Sequence, residues 1–388
     1  MDRTRYKDGV MRSVRSVGIQ WFVAAVMVLA CDRARAEDAR ALPATVDGLR
    51  RKAEAGDLGA AFEYGDWIRK GSKGPKDPVE AARWYRRAAE GGEARAQASL
   101  GWALHHGIGV EKNDVESARW LAKSAEQGNA FAQFGYAEML ATGTGTARDA
   151  AAAARWLRKA AGQGMPEAQH NLGARLVAGA GMVPDPEEGM EWLRKAAAQG
   201  SAQAKNHLGT VYLEGLGGRP DPIAAAKWFR AAAEHELAEA QRNLGNLYHD
   251  GNGVPASPAQ AARWWLLAAE QGMPESQLDV GRDYLTGTGV PKNPAVGLGW
   301  VRRSALQGFA EAQFVLGMMC RDGNAVPRDE TEAYRWFLLA SAQGIKPATV
   351  ERALLKPGLE PAQIEAAEKA AREFKPVVEA SKPKLVEP

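Results

Sequence analysis

Residues 240–272 read AQRNLGNLYHDGNGVPASPAQAARWWLLAAEQG. Leu244–Gly245 and Tyr248 have helical spacing, and Gly251 closes that stretch where a left-handed residue is needed. Ser257 and Pro258 then open a second helix, an N-cap residue followed by a proline whose missing N–H costs nothing there. Trp264, Ala268 and Ala269 lie along it, and Gly272 ends it. This is an αα-hairpin: helix A up to Gly251, a short glycine loop, helix B from Ser257.

On either side of this stretch Trp264 recurs every 36 residues, at Trp84, Trp120, Trp156, Trp192, Trp228, Trp264, Trp300 and Trp336. A fixed period of this length marks a repeat array, which grows by stacking rather than by enlarging one core. Seven residues before each Trp stand Asp77, Asn113, Asp149, Asp185, Asp221, Ser257, Asn293 and Asp329, all good N-caps. Three residues after the caps, Glu80, Glu116, Glu188, Gln260 and Glu332 predict capping boxes. Eight residues past the Trp is glycine, except for Glu236; at another position, Ala325 replaces a loop glycine. Ala88, Ser124, Ala160, Ala196, Ala232, Ala268, Ser304 and Ala340, and the column after them, are small and allow close helix approach. The Trp is then expected to be the large core knob, so that Trp156→Ala would cost about 3–5 kcal/mol. Cys320 falls in an apolar column and reads as a small buried side chain.

These columns resemble the Sel1-like repeat, a relative of the tetratricopeptide repeat. Ala240, Leu244, Gly245, Tyr248, Gly251, Gly253, Val254, Ala261, Trp264, Ala268, Ala269 and Gly272 match its pattern position by position. The resemblance implies an all-α fold, a right-handed α-solenoid of stacked antiparallel helix pairs. It also implies a binding role, and some members of the family are linked to peptidoglycan.

The expected organisation is a signal peptide over 1–36, a lead-in segment and capping helix over 37–56, and eight repeats over 57–344. Capping helices follow over 345–375, and a disordered tail over 376–388. The leader pairs basic residues with an apolar run, Gly18–Cys31, too short for a membrane span, and ends in Ala34–Arg35–Ala36. Cleavage after Ala36 gives a periplasmic or secreted protein. Val28–Leu29–Ala30–Cys31 also resembles a lipoprotein box, so lipidation of Cys31 with membrane anchoring is the alternative; an uncleaved anchor is a third.

The first 36 residues hold seven of the 50 basic and three of the 47 acidic side chains. The remainder is near neutral, which gives no sign of a nucleic-acid partner. The two Cys and scattered His suggest no metal site and no cofactor. No nucleophile elbow or phosphate loop is present, and the Gly-x-Gly loops recur with the period and follow helices rather than strands. The chain therefore reads as a non-enzyme, with no catalytic residues.

A ligand-facing column should vary where structural columns do not. Helix A carries two such columns, three residues apart and hence on one face. The first is Asp66, Trp102, Glu138, Ala174, Thr210, Asn246, Arg282 and Met318; the second is Glu63, Ser99, Gly135, Asn171, His207, Asn243, Asp279 and Val315. Trp102, Asn171, His207, Asn243, Asn246 and Arg282 are the candidate partner-binding residues. The expected function is an exported scaffold holding a protein or peptide in a concave groove, to assemble or regulate cell-envelope machinery. Binding of peptidoglycan or exopolysaccharide is the alternative, and a hydrolase the third reading.

Overall fold

The computed structural model describes residues 46–71 and 76–379; the leader, Cys31 and the cleavage site lie outside them. The described residues form nineteen α-helices and one 3₁₀ turn, with no strand among them. The A helices are α2 (Leu58–Lys70), α4 (Ala94–His106), α6 (Ala130–Thr142), α8 (Pro166–Ala178), α10 (Ala202–Glu214), α12 (Ala238–Asp250), α14 (Pro274–Thr286) and α16 (Ala310–Asp322). The B helices are α3 (Pro78–Glu90), α5 (Asp114–Glu126), α7 (Ala150–Gly162), α9 (Pro186–Ala198), α11 (Pro222–Ala233), α13 (Pro258–Glu270), α15 (Pro294–Leu306) and α17 (Glu330–Ala342). Helix α1 (Val46–Glu54) precedes the array; α18 (Lys346–Leu355) and α19 (Pro361–Arg372) follow it. Two compact units form, one through Trp192 and one from Leu193, and within each, consecutive helices pack as antiparallel pairs.

Local chemistry sets each boundary. All eight expected N-caps accept the amide three residues on, as Asn113 Oδ1 does from Glu116 N (3.0 Å) and Asp185 Oδ1 from Glu188 N (2.9 Å). At α3, α5, α13 and α17 the expected capping boxes do not close. Glu80, Glu116 and Glu188 instead accept from the indole Nε1 of Trp84, Trp120 and Trp192, one turn on, at 3.4, 3.2 and 3.0 Å. Glu332 takes Arg335. The box appears at Glu360 and Gln363, on α19.

Glu236 and Ala325, which replace glycines of the repeat, are the positive-φ non-glycine residues of the described chain (φ 60° and 61°). A side chain there costs about 1–2 kcal/mol. Ala325→Gly is expected to stabilise the chain by about 1 kcal/mol in urea unfolding.

The core column is not the tryptophan. Of the ladder, Trp84, Trp120, Trp156, Trp192, Trp228, Trp264 and Trp300 are half-buried, and Trp336 alone is buried, covered edge-on by Phe374. The residue after each Trp is buried every time: Tyr85, Leu121, Leu157, Leu193, Phe229, Trp265, Val301 and Phe337. That position shares a face with the two small columns three and four residues on, so burying all three turns the indole to the rim. There it lies along the seam beneath a cation: Arg87, Lys123, Lys159 and Arg303 sit 5.6, 4.5, 4.1 and 4.5 Å from the Trp84, Trp120, Trp156 and Trp300 rings.

The glycine after the A-helix leucine admits the true core residue. A Cβ on Gly209 would stand 2.5 Å from Phe229 Cδ1, and one on Gly317 2.6 Å from Phe337 Cε1. Where serine replaces alanine in the small column it bonds across the seam, Ser124 Oγ to Ala94 O (2.7 Å) and Ser304 Oγ to Pro274 O (2.6 Å). Cys320 is buried, and desolvation pushes its thiol up to about 11, which leaves it unreactive.

A glutamine ladder threads the repeats. Near the starts of α4, α6, α12, α14 and α16, Gln97, Gln133, Gln241, Gln277 and Gln313 donate Nε2 to a last-turn carbonyl of the preceding B helix (3.2–3.4 Å). Their Oε1 accepts from Gln127, Gln163, Gln271, Gln307 and Gln343 of the next B-helix end (2.8–2.9 Å). One rung differs: Lys205 Nζ meets His235 Nε2 at 2.7 Å, beside the strained Glu236.

Residues 376–379, expected to begin the disordered tail, are instead laid onto α15 and its neighbours, with Val377 N donating to Leu306 O (2.9 Å).

Candidate functional site

The variable columns lie on A helices, each held by its caps and by the small-residue seam behind it. In the first unit, Asp66 of α2 is tied down by Arg69 (2.6 Å) and Lys70 (3.1 Å). Trp102 of α4 is half-buried, with His106 tilted against it at 4.5 Å. Its indole N–H is buried without an acceptor, at a small cavity lined also by Asp66, Arg69, Tyr85 and Ser99. Desolvation lowers the His106 pKa despite its bond to the Trp102 carbonyl (3.0 Å). Glu138 of α6 accepts from Arg175 of α8 at 2.7 Å, and Asn171 lies half-buried on α8.

The second unit carries the denser set. Asn243 of α12 donates Nδ2 to Asn206 of α10 (3.0 Å). Asn246 Oδ1 accepts from the core indole Nε1 of Trp265 (3.0 Å), over which His249 tilts at 5.4 Å. Arg282 of α14 is exposed. His207 is held neutral by desolvation, its pKa pulled down to about 4, so it is not a cationic contact.

Besides His249, three residues not among the candidates belong to this face. Arg242 of α12 has its Nε buried without an acceptor. Asp279, on α14, has its pKa raised by desolvation against the pull of Arg242 and Arg282. Asp283, one turn on, is pushed up to about 6 by desolvation and by the Asp279 charge, against the opposing effect of His249. The structure thus brings Asn243, Asn246 and Arg282 together with Arg242, Asp279, Asp283 and His249 in one polar patch on α12 and α14. Trp102 and Asn171 belong to the first unit and stand two A helices apart. Among the described residues no group of three or more His, Cys, Asp or Glu is placed to hold a metal ion.

Eight consecutive matches to the Sel1 repeat family model cover residues 58–93, 94–129, 130–165, 166–201, 202–236, 238–273, 274–309 and 310–345. The chain is a Sel1 repeat protein. Its repeat fold is a protein-interaction scaffold of stacked helix pairs. A Sel1 repeat protein from Oxalobacter formigenes is 33% identical, with a TM-score of 0.63 over 81% of this chain and 91% of that one. The protein c5321, described as a protective antigen present in uropathogenic Escherichia coli strains, is 29% identical, with a TM-score of 0.55 over 85% of this chain and 78% of that one. No curated protein matches the chain.

Two consequences for this Sel1 array are measurable. Asn246→Ala would leave the buried Trp265 N–H unpaired and is expected to cost about 1–3 kcal/mol in urea unfolding. A binding defect at Asn246 must therefore be read against that loss. Asp283 titrates higher folded than unfolded, so the native state binds the extra proton and stability falls as pH rises from about 4 to about 6. Asp283→Asn is expected to raise Tm at pH 7.5 and leave it nearly unchanged at pH 3.5, measured by calorimetry.

Proposed function

We propose that the chain is a non-enzymatic exported adaptor that binds protein or peptide segments on its A-helix face and so assembles or regulates cell-envelope machinery. One observation carries this reading. In an array whose caps stay polar, whose seam stays small and whose core stays apolar, two A-helix columns change chemical type from repeat to repeat, and in the second unit they bring Asn243, Asp279 and Arg282 beside Arg242. Such a patch of amides and opposed charges suits an extended backbone with polar side chains. Export rests on the leader, and the description of the related E. coli protein as an antigen supports it. The mature N-terminus, read by mass spectrometry, distinguishes cleavage near Ala36 from lipidation of Cys31.

The test is crosslinking in the envelope of the native host, followed by pull-down. A discrete protein recovered at near-stoichiometric yield is the expected result; recovery of none counts against the reading.

Trp102 favours a second reading, a cell-wall glycan or exopolysaccharide. A half-exposed indole beside an unsatisfied N–H and a small polar cavity suits a sugar face. Sedimentation with purified peptidoglycan, lost in Trp102→Ala, would support it. A hydrolase would need turnover by the pure protein.

A further inference from the structure

The last described residues lie across the ends of two repeats in the second unit. Val377 N donates to Leu306 O, Pro376 passes over Gly308, and Glu379 passes over Gly272. The Glu379 carboxylate takes both Nε and Nη2 of Arg303 (2.9 and 2.7 Å) and Nε2 of Gln277 (2.8 Å). These bonds, that of Arg303 foremost, hold its pKa below the usual carboxylate range. Gln277 is fully buried; its Nε2 also donates to Ala269 O, and its Oε1 accepts from Gln307. The receptor is therefore a buried amide, a guanidinium resting on Trp300 and a floor of two glycines.

The same parts recur in the first unit, at the same 26-residue separation: Gln133 with Lys159, and Gln97 with Lys123. Gln133 donates to Ala125 O and accepts from Gln163, which also donates to Gly128 O, as Gln307 does to Gly272 O. Lys159 and Lys123 rest on Trp156 and Trp120 as Arg303 rests on Trp300. Gln97 and Gln133 are buried, and each has a second amide hydrogen with no acceptor among the described residues. The corresponding glycines, Gly92, Gly128 and Gly164, have open space above them. A buried amide hydrogen beside an exposed cation over an open floor lacks what Glu379 supplies in the second unit.

We propose that these two rungs are subsites for an extended acidic peptide segment of a partner protein, bound as residues 376–379 bind in cis. The backbone lies over the glycines, and one glutamate or aspartate reaches each Gln–Lys pair. The site is formed by A-helix starts and B-helix ends and is separate from the variable columns of the A-helix face. Binding here and binding there therefore fail independently.

The probe is the fluorescent peptide FKPVVEA, amidated at its C-terminus, titrated into the full chain by anisotropy. Saturable binding is expected, weakened at least tenfold by Glu→Gln in the peptide and at least tenfold by K123A/K159A. It should be unchanged by N243A/R282A, and Glu379→Gln should add one equivalent by freeing the third rung. Lys123 and Lys159 are exposed, and circular dichroism of K123A/K159A should match the parent. No saturable binding, or binding indifferent to the glutamate or to the two lysines, would overturn the proposal. So would concentration-dependent dimerisation abolished by Glu379→Gln, which would assign the subsites to the tail of a second copy.

Discussion

Phe229→Ala is expected to destabilise the chain by about 3–5 kcal/mol, well above Trp156→Ala. The Phe229 ring is fully buried among Ala225, Ala226, Ala232, Ala240 and Leu244, with its edge against Gly209. No small shift refills that space, because Gly209 has no side chain to move into it. Trp156 is only half-buried; its loss removes one face of packing and the Lys159 contact, about 1–2 kcal/mol. Equilibrium urea unfolding of both variants decides between them. A Trp156 variant as damaged as the Phe229 variant would return the ladder to the core. In an array the damage is local first, so amide exchange should show the repeat around α11 opening before its neighbours.

The second large effect lies in the loops. Gly145 has φ +67°, and an added Cβ would overlap the Asp114 carbonyl at the start of the previous B helix. Left-handed strain of about 1–2 kcal/mol and a backbone overlap worth about 1–3 kcal/mol both apply, so Gly145→Ala is expected to cost about 2–5 kcal/mol. Gly128 is the control. Its φ is +93° but nothing lies within 4 Å of an added Cβ, so Gly128→Ala carries the conformational cost alone. The difference between the two, from the same unfolding experiment, measures how firmly one repeat's loop seats on its neighbour. Equal costs would mean that the loops are not inter-repeat contacts.

Much of this was legible along the chain because the signals are local. An aspartate before a proline caps a helix through its own first turn, whatever packs nearby, and all eight caps form. Glu236 and Ala325 could be read as strained because they break columns whose backbone geometry only glycine adopts freely. The burial of Leu157 rather than Trp156 was less plain. Adjacent apolar residues both fit a helical stripe, and the larger draws attention. The deciding pattern is the 1, 4, 5 spacing of Leu157, Ala160 and Ala161, which places all three on one face. The Glu80–Trp84 and Glu116–Trp120 bonds displaced the capping boxes for the same reason, since an indole N–H at the rim needs an acceptor.

The candidate site was legible only in outline. That the A-helix columns vary is visible by counting. That Asn246 is committed to Trp265, Asn243 to Asn206, and His207 to a desolvated position depends on packing 19 to 37 residues away. Asp283 and Arg242 joined the patch through neighbours that periodicity does not specify. The glutamine ladder can be counted in sequence, but its function as a rung, and the seating of Glu379 on one of them, comes from distances alone.

Site-specific photocrosslinking shows whether a partner docks on the A-helix face. A photoreactive phenylalanine analogue placed at Arg282, on the exposed A-helix face, is compared with one at Arg263, on the exposed side of α13. The chain carrying either is expressed in its native host. A discrete protein adduct from position 282, absent from position 263, is the expected result. Equal labelling from both positions, or none from position 282, would contradict an interaction face built from the A helices.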